Sequence, residues 1–215
     1  MQKLLDKEIK LTKNQEKQFL TIEKIEEFYL NKKNSKFQYG LEYERISLDK
    51  KSLCVPSYAV IRKIIEQYCE ITNWELVFDD KTVIGAKDSI GNSISLEPGL
   101  QLEISLVPME SIIDIDINLS KIVSLLDKIA QAYNVIFLGV GINPSDSVET
   151  IELLDKNRYR IMNQYLPKNK KANLVQKMMR KTAGIQVNID YKDKKDAYLK
   201  LLFFNLISPF ILGLS

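Results

Sequence analysis

Three short stretches of this chain carry oxygen or amide side chains two residues apart. Glu42 and Glu44 flank Tyr43, Gln101 and Glu103 flank Leu102, and Gln186 and Asn188 flank Val187. In an extended strand residues i and i+2 point to the same face, so each pair can aim at a common space if the three strands are neighbours. Carboxylates gathered in one space repel unless a cation sits among them. Carboxylate and amide oxygens are also the donors that a hard ion such as magnesium prefers. The same alternation describes the wet face of a half-covered sheet, and on pattern alone that plainer reading is favoured.

Composition narrows the chemistry further. The chain of 215 residues has no histidine, which removes histidine-based triads, histidine zinc sites and the usual general base. Cys54 and Cys69 match neither a metal spacing nor a disulfide framework. With no signal-like segment at the start, a reducing cytoplasm is the expected location. A net charge of +3 is too small for wholesale binding to nucleic acid. The charge is uneven, with a basic stretch over Lys168–Lys181 and an acidic one around Asp114, Asp116, Asp127, Glu149, Glu152 and Asp155. This is either a solvated face or one wall of an anion site.

The elements that would position these groups can be read from apolar periodicity. Residues 1–35 read as a polar, helical lead-in, with an apolar stripe from Phe19 to Leu30, and residues 36–215 as the main domain. Lys36–Leu48 alternates as a strand. A helix over Ser57–Ile71 starts at Ser57 as its cap, with Ile61, Ile64, Ile65 and Tyr68 facing inward. Strands follow at Trp74–Phe78, Val83–Asp88, Ser93–Glu97 and Gln101–Val107, joined by turns short enough to require antiparallel pairing. A helix over Asn118–Tyr133, a strand at Val135–Val140, helices at Arg158–Tyr165 and Leu174–Lys181, a strand at Gly184–Tyr191 and a last helix from Asp193 complete the reading. The expected class is α+β, built on an antiparallel sheet.

Five segments resemble, in order and spacing, the plant and bacterial type of glutamate–cysteine ligase. They are GLEYE at 40–44, SLEPGLQLEIS at 95–105, FLGVGINP at 137–144, NRYRIMNQYLP at 157–167 and TAGIQVNID at 182–190. The resemblance implies a glutamine-synthetase-like carboxylate–amine ligase fold, in which a curved antiparallel sheet forms a funnel for ATP, magnesium, glutamate and cysteine. By position it implies Glu42, Glu44 and Glu103 as metal ligands and Gln186 and Asn188 at the nucleotide and metal end. It also implies Arg158, Tyr159 and Lys181 about the amino acids. Read as ordinary structure, Tyr159 is a core residue and Arg158 a surface ion-pair partner. The implied reaction joins the γ-carboxylate of glutamate to the amine of cysteine through an acyl phosphate, the first step of glutathione synthesis. It needs no protein nucleophile. The alternatives are another ligase of the same superfamily, or an inactive fragment that needs a missing C-terminal half. The sequence departs from the family pattern at Leu100, Asn157 and Lys181, where glycine, glycine and arginine are usual.

The end of the chain, from Leu201 to Leu214, is apolar but interrupted by Asn205, Ser208 and Pro209. It reads as too short to span a bilayer and as a buried helix that lacks its covering, so no membrane is expected as a partner. The expectation is a truncated sequence, or a split enzyme with a second chain, that exposes an apolar patch and aggregates or pairs with itself when alone.

Overall fold

A computed structural model describes residues 21–30, 36–165 and 170–214. The chain divides into two compact units, one of residues 36–190 and one that groups the first 35 residues with residues 191–215. The last helix thus goes with the N-terminal segment and not with the sheet. The stretch 1–20 and the basic residue Lys168 lie outside the described residues.

The larger unit is α+β. Its strands are β1 (Tyr39–Asp49), β2 (Glu75–Asp79), β3 (Thr82–Lys87), β4 (Ser93–Leu96), β5 (Leu102–Met109), β6 (Val135–Leu138) and β7 (Ile185–Ile189). They form an open antiparallel sheet in the order β2-β3-β4-β5-β1-β6, with β7 also on β1. β1 is the hub. Its inner flank pairs with β5 over Tyr39–Arg45, while on the outer flank its first half pairs with β7 and its second half with β6.

With α1 (Ile22–Leu30) in the smaller unit, the helices of the larger one are α2 (Tyr58–Thr72), α3 (Ile112–Ala132), α4 (Asn157–Tyr165) and α5 (Lys170–Lys181). α2 and α3 cover one face of the sheet. Ile61, Ile64, Ile65 and Tyr68 of α2 and Ile122, Leu126 and Ile129 of α3 meet Ile94, Leu96, Leu102 and Ile104 in one buried core. Each such side chain contributes roughly 1.5–3 kcal/mol by leaving water. Trp74, just before β2, meets Tyr68 edge to face with centroids 5.3 Å apart and holds the end of α2 to the sheet. At the hub, Arg45 reaches back under the sheet to Asp127 of α3 with two hydrogen bonds of 2.7 and 3.2 Å. It also donates to the Phe137 carbonyl of β6. A nearly buried guanidinium is tolerable because it is paired in this bidentate way.

Two helix starts differ from expectation. Ser57 has the extended backbone of a cap but makes no side-chain capping bond. The Glu152 carboxylate, from a distant loop, accepts the Tyr58 N–H at 2.9 Å instead. α3 begins at Ile112, well before Asn118. The alternation Ile113, Asp114, Ile115, Asp116, Ile117 has a strand period, yet Ser111 caps the helix by accepting from the Asp114 N–H. Asp114 then lies in the first turn, where the helix dipole favours an anion.

The smaller unit contains α1 and α6 (Lys194–Leu214), tied by a Lys194–Glu26 ion pair of 3.2 Å. The expectation that Asn205, Ser208 and Pro209 break up the apolar run is not met. α6 is continuous over 21 residues, long and apolar enough by length and composition to cross a membrane, and none of that stretch is buried. Asn205 and Ser208 donate to the carbonyls of Leu201 and Phe204 one turn back, so their polarity is met within the helix.

The turn between β4 and β5 carries two specialised positions. Glu97 and Gln101 close a three-residue loop, with the Leu100 N–H bonded to the Glu97 carbonyl at 2.9 Å. Leu100 takes φ +64, the left-handed conformation that glycine adopts most cheaply there, and its side chain is completely buried. Gly99 is required for space. A Cβ on it would lie 2.2 Å from the Arg180 carbonyl oxygen. Leu100→Gly should relieve about 1 kcal/mol of strain and lose about 2–5 kcal/mol of core, for a net loss of about 1–4 kcal/mol in denaturant unfolding. Gly99→Ala should cost about 1–3 kcal/mol through forced displacement of α5. A neutral result for either substitution would contradict this account of the turn.

Candidate functional site

Antiparallel partners share a face, so the register decides which side chains meet. β1 sets Glu44 opposite Glu103 and Glu42 opposite Ser105 on β5. Across the other flank, Glu42 faces Gln186 and Gly40 faces Asn188 of β7. β4 sets Ser95 opposite Glu103. Glu42, Glu44, Glu103, Gln186, Asn188 and Ser95 therefore lie on one face, opposite the one covered by α2 and α3. The three strands read from the sequence are neighbours.

Gln101 does not belong to this group. It precedes β5, is buried, and spends its amide on structure. Its oxygen accepts from the Gly99 N–H at 2.8 Å, and its nitrogen donates to the carbonyls of Met179 at 3.1 Å and Thr182 at 2.8 Å. It fastens the β4–β5 turn to the end of α5. The acceptor that this turn does offer is Glu97, which the sequence reading did not single out. Ser93, Ser95 and Glu97 alternate along β4 and its exit, and that period was the available signal.

Each carboxylate is held by few donors. Glu103 accepts from the hydroxyls of Ser95 at 3.0 Å and Ser105 at 3.2 Å. Glu44 accepts from the Gly184 N–H at 2.8 Å, and Glu42 from the Asn188 amide at 3.4 Å. Burial pushes the Glu44 carboxyl above its ordinary range, with repulsion from Glu103 and Glu42 adding to it and the Gly184 N–H opposing. Burial likewise raises Glu97, helped by Glu103 and Glu44 and opposed by the charges of Lys156 and Arg158. The acids feel one another, which is the signature of a space short of positive charge.

Glu44 and Glu97 line a cavity of about 240 Å³ together with Arg158, Tyr159, Met178 and Thr182. Arg158 is exposed, and its guanidinium lies 5.2 Å from the Tyr159 ring centre, with the Lys156 ammonium 5.1 Å from the same ring. Tyr159 is itself a core residue, its hydroxyl 3.4 Å from the Leu96 carbonyl and its pKa pushed up to about 12, chiefly by burial. It forms the floor of the cavity. Lys181 is not among the lining residues. Its carbonyl accepts from the Asn143 N–H at 2.7 Å and pins the loop after β6.

The donor set suits a hard divalent cation. Among the described residues, however, no three groups of the carboxylate, thiol or imidazole type gather round one position. The facing pair Glu44 and Glu103 could supply two ligands to a magnesium ion, which commonly takes one or two carboxylates and fills its shell with water and substrate phosphate.

The raised acids fix a sign for pH dependence. Above the ordinary carboxylate value of 4.5 the unfolded chain has lost protons that folded Glu44 and Glu97 still hold. Raising pH through their elevated values then strips the folded state alone, and stability falls. Without divalent metal, the protein should melt higher at pH 5 than at pH 7, and Glu97→Gln should flatten that difference and raise the melting temperature at pH 7. A melting temperature that climbs from pH 5 to pH 7 in the parent, unchanged in the variant, would refute the reading.

The comparison with known proteins follows the same residues. A family profile described as Glutamate-cysteine ligase family 2 (GCS2) matches residues 38–215. Glutamate–cysteine ligase A, chloroplastic, of Oryza sativa subsp. japonica is 30% identical over 169 residues, which are 79% of this chain and 34% of the relative. The chloroplastic glutamate–cysteine ligases of Arabidopsis thaliana and Medicago truncatula are each 31% identical over 169 residues, covering 79% of this chain and 32% and 33% of theirs. The chain thus spans about a third of the length of the curated relatives it matches. Carrying the acidic face and the Arg158 box within the matched stretch, it belongs to glutamate–cysteine ligase family 2.

Proposed function

We propose that this chain carries part of the catalytic site of an ATP-dependent glutamate–cysteine ligase, on the funnel-shaped sheet of the glutamine-synthetase-like fold. The observation that supports this most is the pair Glu44 and Glu103, directly opposed on the open face with Glu97 and Arg158 at its edge. An uncompensated cluster of that kind is costly, and a bound cation relieves it. The cytoplasm remains the proposed location.

A carboxylate does not form an amide spontaneously, because its oxygen is a poor leaving group. In the proposed reaction the glutamate γ-carboxylate attacks the γ-phosphorus of ATP, the bond to the β-phosphate oxygen breaks, and ADP leaves. The cysteine nitrogen then attacks the acyl phosphate carbon, the C–O bond to phosphate breaks, and the nitrogen loses a proton. The products are ADP, phosphate and γ-glutamylcysteine. No side chain forms a covalent bond, so positioning and charge balance carry the rate. Magnesium, held by Glu44 and Glu103 with Glu42 nearby, would neutralise phosphate charge. Gln186 and Asn188 extend the polar wall of that face with neutral amides. Arg158, exposed and with its guanidinium beside the Tyr159 ring, would take a substrate carboxylate with its planar fork. Lys181 could add a cation near the end of α5.

A second reading is favoured by the matched length and by the absence of a three-ligand cluster among the described residues. In it the chain binds but does not turn over without further polypeptide. A ligase of the same superfamily with another amine acceptor is the third. Incubation with ATP, magnesium and glutamate, followed by cysteine or other amines, separates these outcomes by product.

Glu42→Gln and Glu103→Gln should each weaken magnesium-dependent ATP binding at least tenfold by calorimetry while the fold is kept. Unchanged binding in both would end the metal assignment. Arg158→Ala should weaken amino-acid binding far more than nucleotide binding. Equal loss of both, or loss of folding, would move Arg158 to the scaffold.

A further inference from the structure

The lining of the cavity beside Arg158 is of two kinds. Glu44, Glu97 and Arg158 bring charge to it, and Met162 of α4 with Met178 and Met179 of α5 bring thioethers. Three of the five methionines of the chain thus line one space. None of the three joins the buried core, and Met178 and Met162 are 56% and 37% exposed. Packing of α4 on α5 does not account for them, because those helices have a tie of their own. The Gln176 amide on α5 donates to the Asn163 side-chain oxygen on α4 at 2.8 Å.

The neutral polar groups of the same lining are already committed. The Gln101 nitrogen donates to the Met179 and Thr182 carbonyls, and its oxygen accepts from the Gly99 N–H. The Thr182 hydroxyl donates to the Met178 carbonyl, and the Tyr159 hydroxyl lies 3.4 Å from the Leu96 carbonyl. What remains for a ligand is charge from Glu97 and Arg158 and soft apolar surface from the methionines. Those three offers match the three parts of a small α-amino acid. Arg158 suits its carboxylate, Glu97 its ammonium, and the methionines its side chain. At about 240 Å³ the space is below the roughly 300–1,000 Å³ of pockets for drug-sized ligands.

We propose that this cavity seats the amine substrate, and that Met162, Met178 and Met179 select its side chain as small, uncharged and polarisable, a thiol ahead of a hydroxyl. Methionine is unbranched and polarisable, so it closes around a small sulfur-bearing group with little strain. A hydroxyl placed there gives up water and finds no free donor in exchange. An apolar pocket discriminates on that ground by roughly ten- to a hundredfold. Glutamate is excluded from this seat. Arg158 is the one cation among the described residues that line it, so a second carboxylate would lie against thioethers unpaired.

The use of the seated amine rests on the ligase reading, but the seat itself is tested without nucleotide. Residues 1–215 are labelled with ¹³C in the methionine methyl groups and titrated with L-cysteine, kept reduced by a phosphine, with L-serine and with L-glutamate. Cysteine should shift the methyl signals of Met162, Met178 and Met179 and leave that of Met109 on β5 unmoved. It should bind at least tenfold more tightly than serine, and glutamate should leave the three signals in place. Met178→Gln should keep the melting temperature and bring cysteine to within about threefold of serine, and Met178→Leu should restore the preference. A role confined to holding α4 on α5 would weaken both amino acids alike and keep their ratio. Unmoved methyl signals, serine equal to cysteine, glutamate on the same methyl groups, or an unchanged ratio in Met178→Gln each overturns the proposal. Magnesium-dependent ATP binding tests the ligase reading apart from this. Cysteine on the methionines without nucleotide binding upholds the seat and sinks the ligase, and nucleotide binding without cysteine on the methionines sinks the seat alone.

Discussion

The register of β1 against β5 is the constraint on which the rest of the site depends. It sets Glu44 directly across from Glu103, a like-charge pair that costs stability in any sheet. Had β1 slipped by one residue, Tyr43 and Arg45 would take the open face and the carboxylates would enter the core. The apolar partners on the closed face prevent that slip. Leu102, Ile104 and Leu106 are all buried there, and Arg45 is anchored to Asp127. The hydrophobic layer thus fixes the register, and the register imposes the repulsion.

β1 also divides its labour along its length. The half from Tyr39 to Tyr43 carries Glu42 and pairs with β7, which has no second strand partner among the described residues, while Ile46 to Asp49 pair with β6 beneath the Arg45 anchor. Glu44 lies between the two, and its donor is the Gly184 N–H, just ahead of β7. The position of this acid therefore answers to the strand least supported by its neighbours. By contrast Glu103 is held by two serine hydroxyls from strands inside the sheet. Of the facing pair, one member is set by the sheet interior and the other by its margin.

Much of this was legible from residue types alone. Period-two alternation located the strands that carry Glu42, Glu44, Glu103, Gln186 and Asn188, because one side of each was polar and the other apolar. Helical periodicity found α2, α4 and α5 to within a few residues. Some misreadings originate in contacts distant along the chain and others in a local cap. The start of α3 imitates a strand until Ser111 caps it. Ser57 yields its capping role to Glu152, which is remote in sequence. Gln101 shares the spacing of an acceptor pair, yet three backbone groups of a turn and a helix end claim its amide. Glu97 escaped notice because its place on the open face depends on the turn that follows it. At Leu100 the family's glycine is replaced, and only the buried side chain shows what offsets the left-handed backbone.

The edge-to-face contact of Trp74 with Tyr68 has a spectroscopic consequence. Trp74 is the sole tryptophan of the chain. It stands at the β2 end of the sheet, with β3, β4 and β5 between that strand and β1. Its emission will therefore register the parting of α2 from the sheet and remain blind to events confined to the acidic face. A ligand that shifts indole fluorescence would have to act through the strands in between. That makes this fluorophore a gauge of the rigidity of the sheet and not of occupancy.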